Sequence, residues 1–358
     1  MTEYIVQDTS LTALANKIRE KTGGSAPLEF PDEFVSGVGS LINPDNPPAT
    51  PTDSILFYSI TPFSLYKYNP NNTWTGSLEF STDHTTWNPF LTNAENSAGR
   101  VNGWYVLYLR GSNNSTISPS NGHSFAAIGS GIKCVGNLNR LLRYNEDVTS
   151  IQDNAFNGMF YRCSNIDFDV ELPATTVGKS AYKQMFYQCG SLTKAPALPA
   201  TTIGDNCYEE MFSSCTALKT APSVLPAMNL KNQCYARMFE NCSFLETPPS
   251  LPATDLTGGG CYLSMFNKCN ELNKLPELPA ETLTATCYLS MFANSKKIKL
   301  SATQTGEYQT EYRIPSSGTG TADASSLTSM FGTTGGTFTG TPTINTTYYT
   351  SNTVIPAS

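Results

Sequence analysis

Apolar residues recur in a fixed frame along the second half of this chain. A Met-Phe pair begins at Met159, Met185, Met211, Met238, Met265 and Met291, at steps of 26, 26, 27, 27 and 26 residues. Four residues after each Met stand Cys163, Cys189, Cys215, Cys242, Cys269 and then Ser295; four before stand Ala155, Ala181, Cys207, Cys234, Cys261 and Cys287. Self-similarity at a period of roughly 20 to 50 residues marks a solenoid, whose units hide their apolar faces only against one another. In "CYEEMFSSCTAL", Cys207, Met211, Cys215 and Leu218 fall on one stripe of a helix, which predicts a helix opened by Gly204 or Asp205. The Leu-x-x-x-Pro segment before it predicts a short strand that proline ends. Each unit is therefore expected to be one strand plus one helix.

The pattern changes upstream. Leu11, Leu14 and Ile18, then Phe34, Val38 and Leu41, form two short apolar stripes separated by Gly23-Gly24. They predict a helical hairpin that buries too little to stand alone, and so attaches to a partner. "NPDNPPATPTD" reads as a semi-rigid linker. Then "SILFYSITPF", "GSLEFSTD" and "GWYVLYLRG" are short β-branched and aromatic runs between turn residues, which predict a compact β-sandwich or barrel. The expected fold class is multidomain α+β. It comprises a helical hairpin (1–43), a linker (44–53), a β-sandwich (54–145), a solenoid of strand plus helix (146–300) and a Thr- and Gly-rich C-terminal cap (301–358).

The chain has 358 residues and ten cysteines, nine of them in the repeat lattice. Their number follows the repeats, not the needs of one site. Ala fills the slot in two units and Ser in another, which a metal ligand would not permit, and no close Cys-x-x-Cys pair exists. On a helix Cys207 and Cys215 would lie ~12 Å apart, too far for a disulfide. Cys207, Cys215, Cys234, Cys242, Cys261 and Cys269 are therefore expected as reduced, buried packing residues, with no metal and no cofactor. Reduced thiols fit folding in a cytosol, and "MTEYIVQDTS" lacks signal-peptide regions. A net charge of −7 without a basic patch argues against nucleic acid, and no apolar run is long enough to insert in a membrane.

Candidate chemistry is sparse. Trp74, Trp87 and Trp104 lie in the β region. They are core residues or, for Trp87 and Trp104, exposed platforms for sugar stacking. In the solenoid, Lys194, Thr220, Thr247 and Lys274 project between the inward Leu192, Leu218, Leu245 and Leu272, one per unit. A fixed interior with a variable exterior suits a recognition surface, and this neutral-to-basic row in an acidic protein points to an anionic surface polymer. Asp83-His84 with Ser81 invites a catalytic-triad reading. Neighbours on a strand point to opposite faces, so that reading is declined. Glu209-Glu210 is read as a solvated face, and the repeated Leu-Pro-Ala-Thr as a solenoid turn rather than a sorting signal.

The units "LPATTIGDNCYEEMFSSCTALKTAP" and "LPATDLTGGGCYLSMFNKCNELNKLP" resemble the BspA-type leucine-rich repeats of gut bacteria and their phages. "LTALANKIREKTGGSAPLEFPDEFVSGVGSL" is similar to N-terminal segments of phage tail and other virion proteins, and "LEFSTDHTTWNPF" with "GWYVLYLRGSNNS" resembles a β domain that precedes such repeats. The resemblance implies adhesion without catalysis. On it, the chain is expected to be a phage virion protein, a tail fibre or a head or tail adhesin. It would attach to other virion proteins through residues 1–43, bind a host cell-surface glycan or protein, and form a homo-oligomer such as a trimer. The alternatives are a purely structural decoration protein and a bacterial cell-surface adhesin.

Overall fold

The computed structural model describes residues 47–68, 74–117 and 124–357. The helical hairpin expected over 1–43 lies outside them. The first strands are β1 (Ile55–Ser59), β2 (Ser64–Lys67), β3 (Ser77–Ser81), β4 (Asn88–Pro89), β5 (Asn96–Ser97) and β6 (Gly99–Val101). Then come β7 (Trp104–Ser112), β8 (Phe125–Ile128), β9 (Ile132–Asn137), β10 (Ser150–Ile151) and β11 (Ile166–Glu171). A seven-stranded sheet runs β11-β9-β1-β7-β3-β4 with β6 also on β7, and a three-stranded sheet runs β5-β2-β8. Asn102 and Gly103 both take positive φ and close a two-residue hairpin in which Val101 faces Trp104, as a right-twisted ribbon requires.

The larger sheet is apolar on both faces, which is why β1 reads as the unbroken run "ILFYS". Ile55, Phe57, Leu107 and Leu109 share the main core with Leu65 and Phe125 of the smaller sheet. Leu56, Tyr58, Trp104, Val106 and Val135 form a second cluster on the opposite face. This sheet runs into the repeats. β11, from the first coil, pairs in parallel with β9 over six residues, from Ile166 opposite Ile132 to Glu171 opposite Asn137.

The repeat region corrects the expected fold class. The repeats contain no helix, and the only helical element among the described residues is the four-residue 3-10 turn Leu138–Leu141. Where a helix was predicted, the chain makes a turn every four residues. Ser180, Gln184 and Gln188 take left-handed φ, as do Asn206, Glu210 and Ser214 one coil later. Such residues cannot sit inside a right-handed helix. The N–H groups alternate in destination. Lys183, Met185 and Tyr187 donate back to Ser180, Tyr182 and Gln184, closing local turns. Tyr182, Gln184, Phe186 and Gln188 donate to Cys207, Glu209, Met211 and Ser213 of the next coil, at 2.9 Å each. Backbone groups are thus paired without a helix, half locally and half between coils.

This turn ladder points two adjacent residues inward every four. Tyr182, Tyr208, Tyr235, Tyr262 and Tyr288 stack in one column, with centroids 5.5–5.8 Å apart. Phe186, Phe212, Phe239, Phe266 and Phe292 stack in another, 5.5–5.8 Å apart. Each buried ring contributes about 1.5–3 kcal/mol, and each stacked pair about 0.5–1.5 kcal/mol more. Gly204 marks a corner where coils touch; a Cβ there would lie 2.6 Å from the Lys179 nitrogen. Short parallel ladders complete each coil, such as Thr176–Val177 on Thr202–Ile203.

Beyond Ser301 antiparallel pairing joins a last coil, in which Thr321–Ala322 lies parallel to Thr282–Leu283 and the N–H groups of Tyr288 and Phe292 reach Ser326 and Met330. Thr347–Thr350 pairs with Leu300–Ser301 and with Thr310–Arg313, and Phe331 stacks on Phe292 at 5.4 Å. The last strand, Thr353–Ile355, returns to lie parallel to Lys274–Pro276.

Candidate functional site

All ten cysteines are unpaired and buried. Two columns behave differently. In the one after Met-Phe, the thiols of Cys163, Cys189, Cys215, Cys242 and Cys269 donate to the carbonyls of Phe125, Phe160, Phe186, Phe212 and Phe239, at 2.9–3.1 Å. Ser295 makes the same bond to Phe266 at 2.7 Å. Each is a polar rung inside the core, which explains why Ser replaces Cys in this column. In the column before Met-Phe, the Cys207 thiol makes only a long contact to the Cys234 carbonyl, at 4.0 Å; Ala fills the same slot at Ala155 and Ala181. Cys234, Cys261 and Cys287 complete it, fully shielded, and Cys261 departs from Cys207 by donating to the Gly258 carbonyl at 2.6 Å. Burial pushes the thiols of Cys163, Cys215 and Cys287 up to about 12, so they remain neutral and unreactive at physiological pH. Among the described residues no cluster of three or more His, Cys, Asp or Glu could hold a metal.

The two tryptophans lie on the outer face of the seven-stranded sheet. Trp104 is buried beside Tyr58, their rings edge to face at 5.3 Å. Trp87 is half-buried over the Arg110 guanidinium at 3.9 Å, with Tyr144 on Arg110 at 4.4 Å and Glu79 holding its Nε at 2.9 Å. Both rings are engaged by the protein itself. His84 stacks on Tyr108 at 4.6 Å, and its Nε2 lies 2.8 Å from Asp53. Ser81 donates to Asp83 instead, at 2.9 Å. The Ser81, Asp83 and His84 side chains do not form a relay.

The lysine and threonine row is in the repeats. Lys194, Thr220 and Thr247 are joined by parallel bridges, one per coil. Lys194 and Thr220 are exposed and Thr247 is half-buried. Lys274 stands apart, opposite Thr353 of the C-terminal strand. A groove of about 900 Å3 runs along the first three members of this row, a size typical of ligand sites (~300–1,000 Å3). Its apolar lining comes from Phe168, Val170, Ala195, Pro196, Pro222, Pro248 and Ile355. Lys194, Lys219, Asp169 and Glu246 also line it. Two positive and two negative groups make it balanced, so the expectation of an anionic polymer, drawn from the row alone, has no support from its walls. Sequence reasoning missed Asp169 and Lys219. The pairing of β11 with β9, with Asp169 opposite Val135, places Asp169, and no short-range signal announces it.

Comparison with known proteins gives no match to a protein family, to a curated protein or to a solved structure.

Proposed function

We propose that this chain is a non-catalytic adhesin of a phage virion, carried on a tail fibre or on the head or tail, whose ribbon groove binds a host-surface receptor. The observation that carries the reading is the groove. Equivalent positions of successive coils hold constant buried residues, Leu192, Leu218 and Leu245, below rim residues that change: Lys194 gives way to Thr220 and Thr247, and Lys219 to Glu246. Such a frame lets a surface change without disturbing the core beneath it, as receptor recognition demands. The resemblance of the N-terminal segment to virion proteins supplies the setting, with residues 1–43 as the attachment to the particle.

The test is binding of fluorescent full-length protein to a panel of intact bacterial strains. Thr220→Trp places a large side chain in the groove at an exposed position, where substitutions usually shift stability by less than about 0.5 kcal/mol. Its unfolding midpoint should match the parent. Its binding to the strain the parent recognises should fall at least tenfold. Undiminished binding by the folded variant would remove the groove from the account.

A further inference from the structure

The groove lies where one rung of the strand ladder is missing. At this level of the coil, Lys194 pairs with Thr220 and Thr220 with Thr247. The equivalent step one coil earlier, from Phe168 to Lys194, has no bridge. β11 instead joins β9 and ends the seven-stranded sheet. Its second edge therefore faces the groove through Phe168, Asp169 and Val170. On the opposite wall, Ala195 donates its N–H to Thr220, at 2.9 Å. By the alternation of a parallel strand, the N–H and C=O of Lys194 then face the groove. Two parallel strand edges thus bound one apolar cleft, with Asp169 and Lys194 as their exposed residues. Such edges are templates for a further strand.

The chain itself adds a strand to a coil further along, paired on one edge. Thr353–Ile355 lies parallel to Lys274–Pro276, with Thr353 opposite Lys274 and Ile355 opposite Pro276. Just before it, the Asn352 amide donates to the Asn273 carbonyl on one coil and the Lys297 carbonyl on the next, at 2.8 and 3.0 Å. The fold thereby accepts a Thr-Val-Ile strand against the same level of a coil.

We propose that the ligand of this groove is an extended polypeptide segment of a partner protein, inserted as a parallel β-strand between β11 and Lys194–Ala197. This rests on the reading of the groove as the receptor site and names the receptor's chemistry. Main-chain hydrogen bonds to both edges supply affinity, and alternate side chains supply selectivity. One set of side chains lies on Ala195, Pro196 and Pro222, which favours Val, Ile or Thr. The other set faces the mixed charges of Asp169, Lys194 and Lys219 and is polar.

The probe is a labelled synthetic peptide, Ser-Asn-Thr-Val-Ile-Pro-Ala, the sequence of residues 351–357. Fluorescence anisotropy with full-length protein should show saturable binding. A strand paired on both edges uses every amide, so N-methylation at Thr, Val or Ile of the peptide should each weaken binding at least tenfold. Lys194→Ala keeps the backbone donor and reads the side-chain contribution alone, whereas Lys194→Pro also removes that donor and should bind at least tenfold more weakly than Lys194→Ala. No saturation up to ~1 mM, or tolerance of all three methylated peptides, would overturn strand insertion. Cell binding that still fell with Thr220→Trp would meanwhile leave the groove as receptor site for another ligand. A concentration-dependent dimer in sedimentation that the peptide disperses would make a second copy of this chain the occupant and overturn the assignment to a partner.

Discussion

Replacing Cys242 distinguishes two physical roles for the thiol ladder. The side chain is fully buried, and its sulfur lies 3.1 Å from the Phe212 carbonyl. Cys242→Ala deletes a methylene-sized group, worth about 0.8 kcal/mol of burial. It also deletes a hydrogen bond worth about 0.5–1.5 kcal/mol. The carbonyl keeps one donor, the Cys215 N–H at 3.1 Å, which limits the total to about 1–2.5 kcal/mol. Cys242→Ser keeps a donor where Ser295 already makes the same bond, so it should cost less than ~1 kcal/mol. If the thiol were only a small hydrophobe, the order would invert. A buried hydroxyl without its bond costs about 1–3 kcal/mol, and Ala would then be the milder change. Cys207 is the internal control, because its contact to the Cys234 carbonyl is long, at 4.0 Å, and Ala occupies its slot in two coils. There Ala should be milder than Ser. Urea unfolding followed by far-ultraviolet circular dichroism, compared at equal slope, measures both pairs. The same order of Ala and Ser at both positions would refute the distinction between the two thiols.

Other outcomes follow from the same geometry. Burial raises the folded-state thiol pKa values of Cys163, Cys215 and Cys287 from 9.0 to about 12. Their contribution is fully present below pH 9 and is lost as pH rises toward 12, so alkaline titration should unfold the solenoid within that window and expose thiols that resist labelling below it. Lys268 has φ +63°, so Lys268→Gly should hold or raise the unfolding midpoint, whereas Lys268→Ile should cost about 1–2 kcal/mol. A helix would give the opposite sign for Gly. Deleting residues 1–43 should abolish incorporation into particles while the circular dichroism of the remainder persists; normal incorporation would contradict their role as the attachment.

The repeat was legible in the sequence because Met-Phe and its flanking Cys recur at a fixed interval. The element between them was not. A helix and a four-residue turn ladder differ by only ~40° per four residues, so three apolar positions such as Cys207, Met211 and Cys215 fit either. The discriminating signal lay in the polar residues. Asn154, Asn206, Asn241 and Asn294 all take left-handed φ, where Asn is favoured and which a helix forbids. The second buried column, Tyr182 to Tyr288, was the other clue, since adjacent inward residues widen a helical stripe but suit a turn. The row Lys194, Thr220 and Thr247 could be placed from the repeat alone. Its opposite wall could not, because β11 leaves the solenoid ladder for β9 through a long-range pairing that only the folded chain creates.

The central claim, that this protein meets its receptor through the ribbon groove, is tested most directly by hydroxyl-radical footprinting on bound cells. Full-length protein is oxidised free and while bound to a strain it recognises, and modification is compared residue by residue. The account predicts protection at the exposed groove residues Lys194, Lys219, Thr220 and Glu246, with Trp87, Tyr144 and the outward turn face at Tyr161 and Tyr187 unchanged. Protection centred on Trp87 and Tyr144, with the groove residues as reactive as in the free protein, would contradict it and move the receptor site to the outer face of the β-sheet.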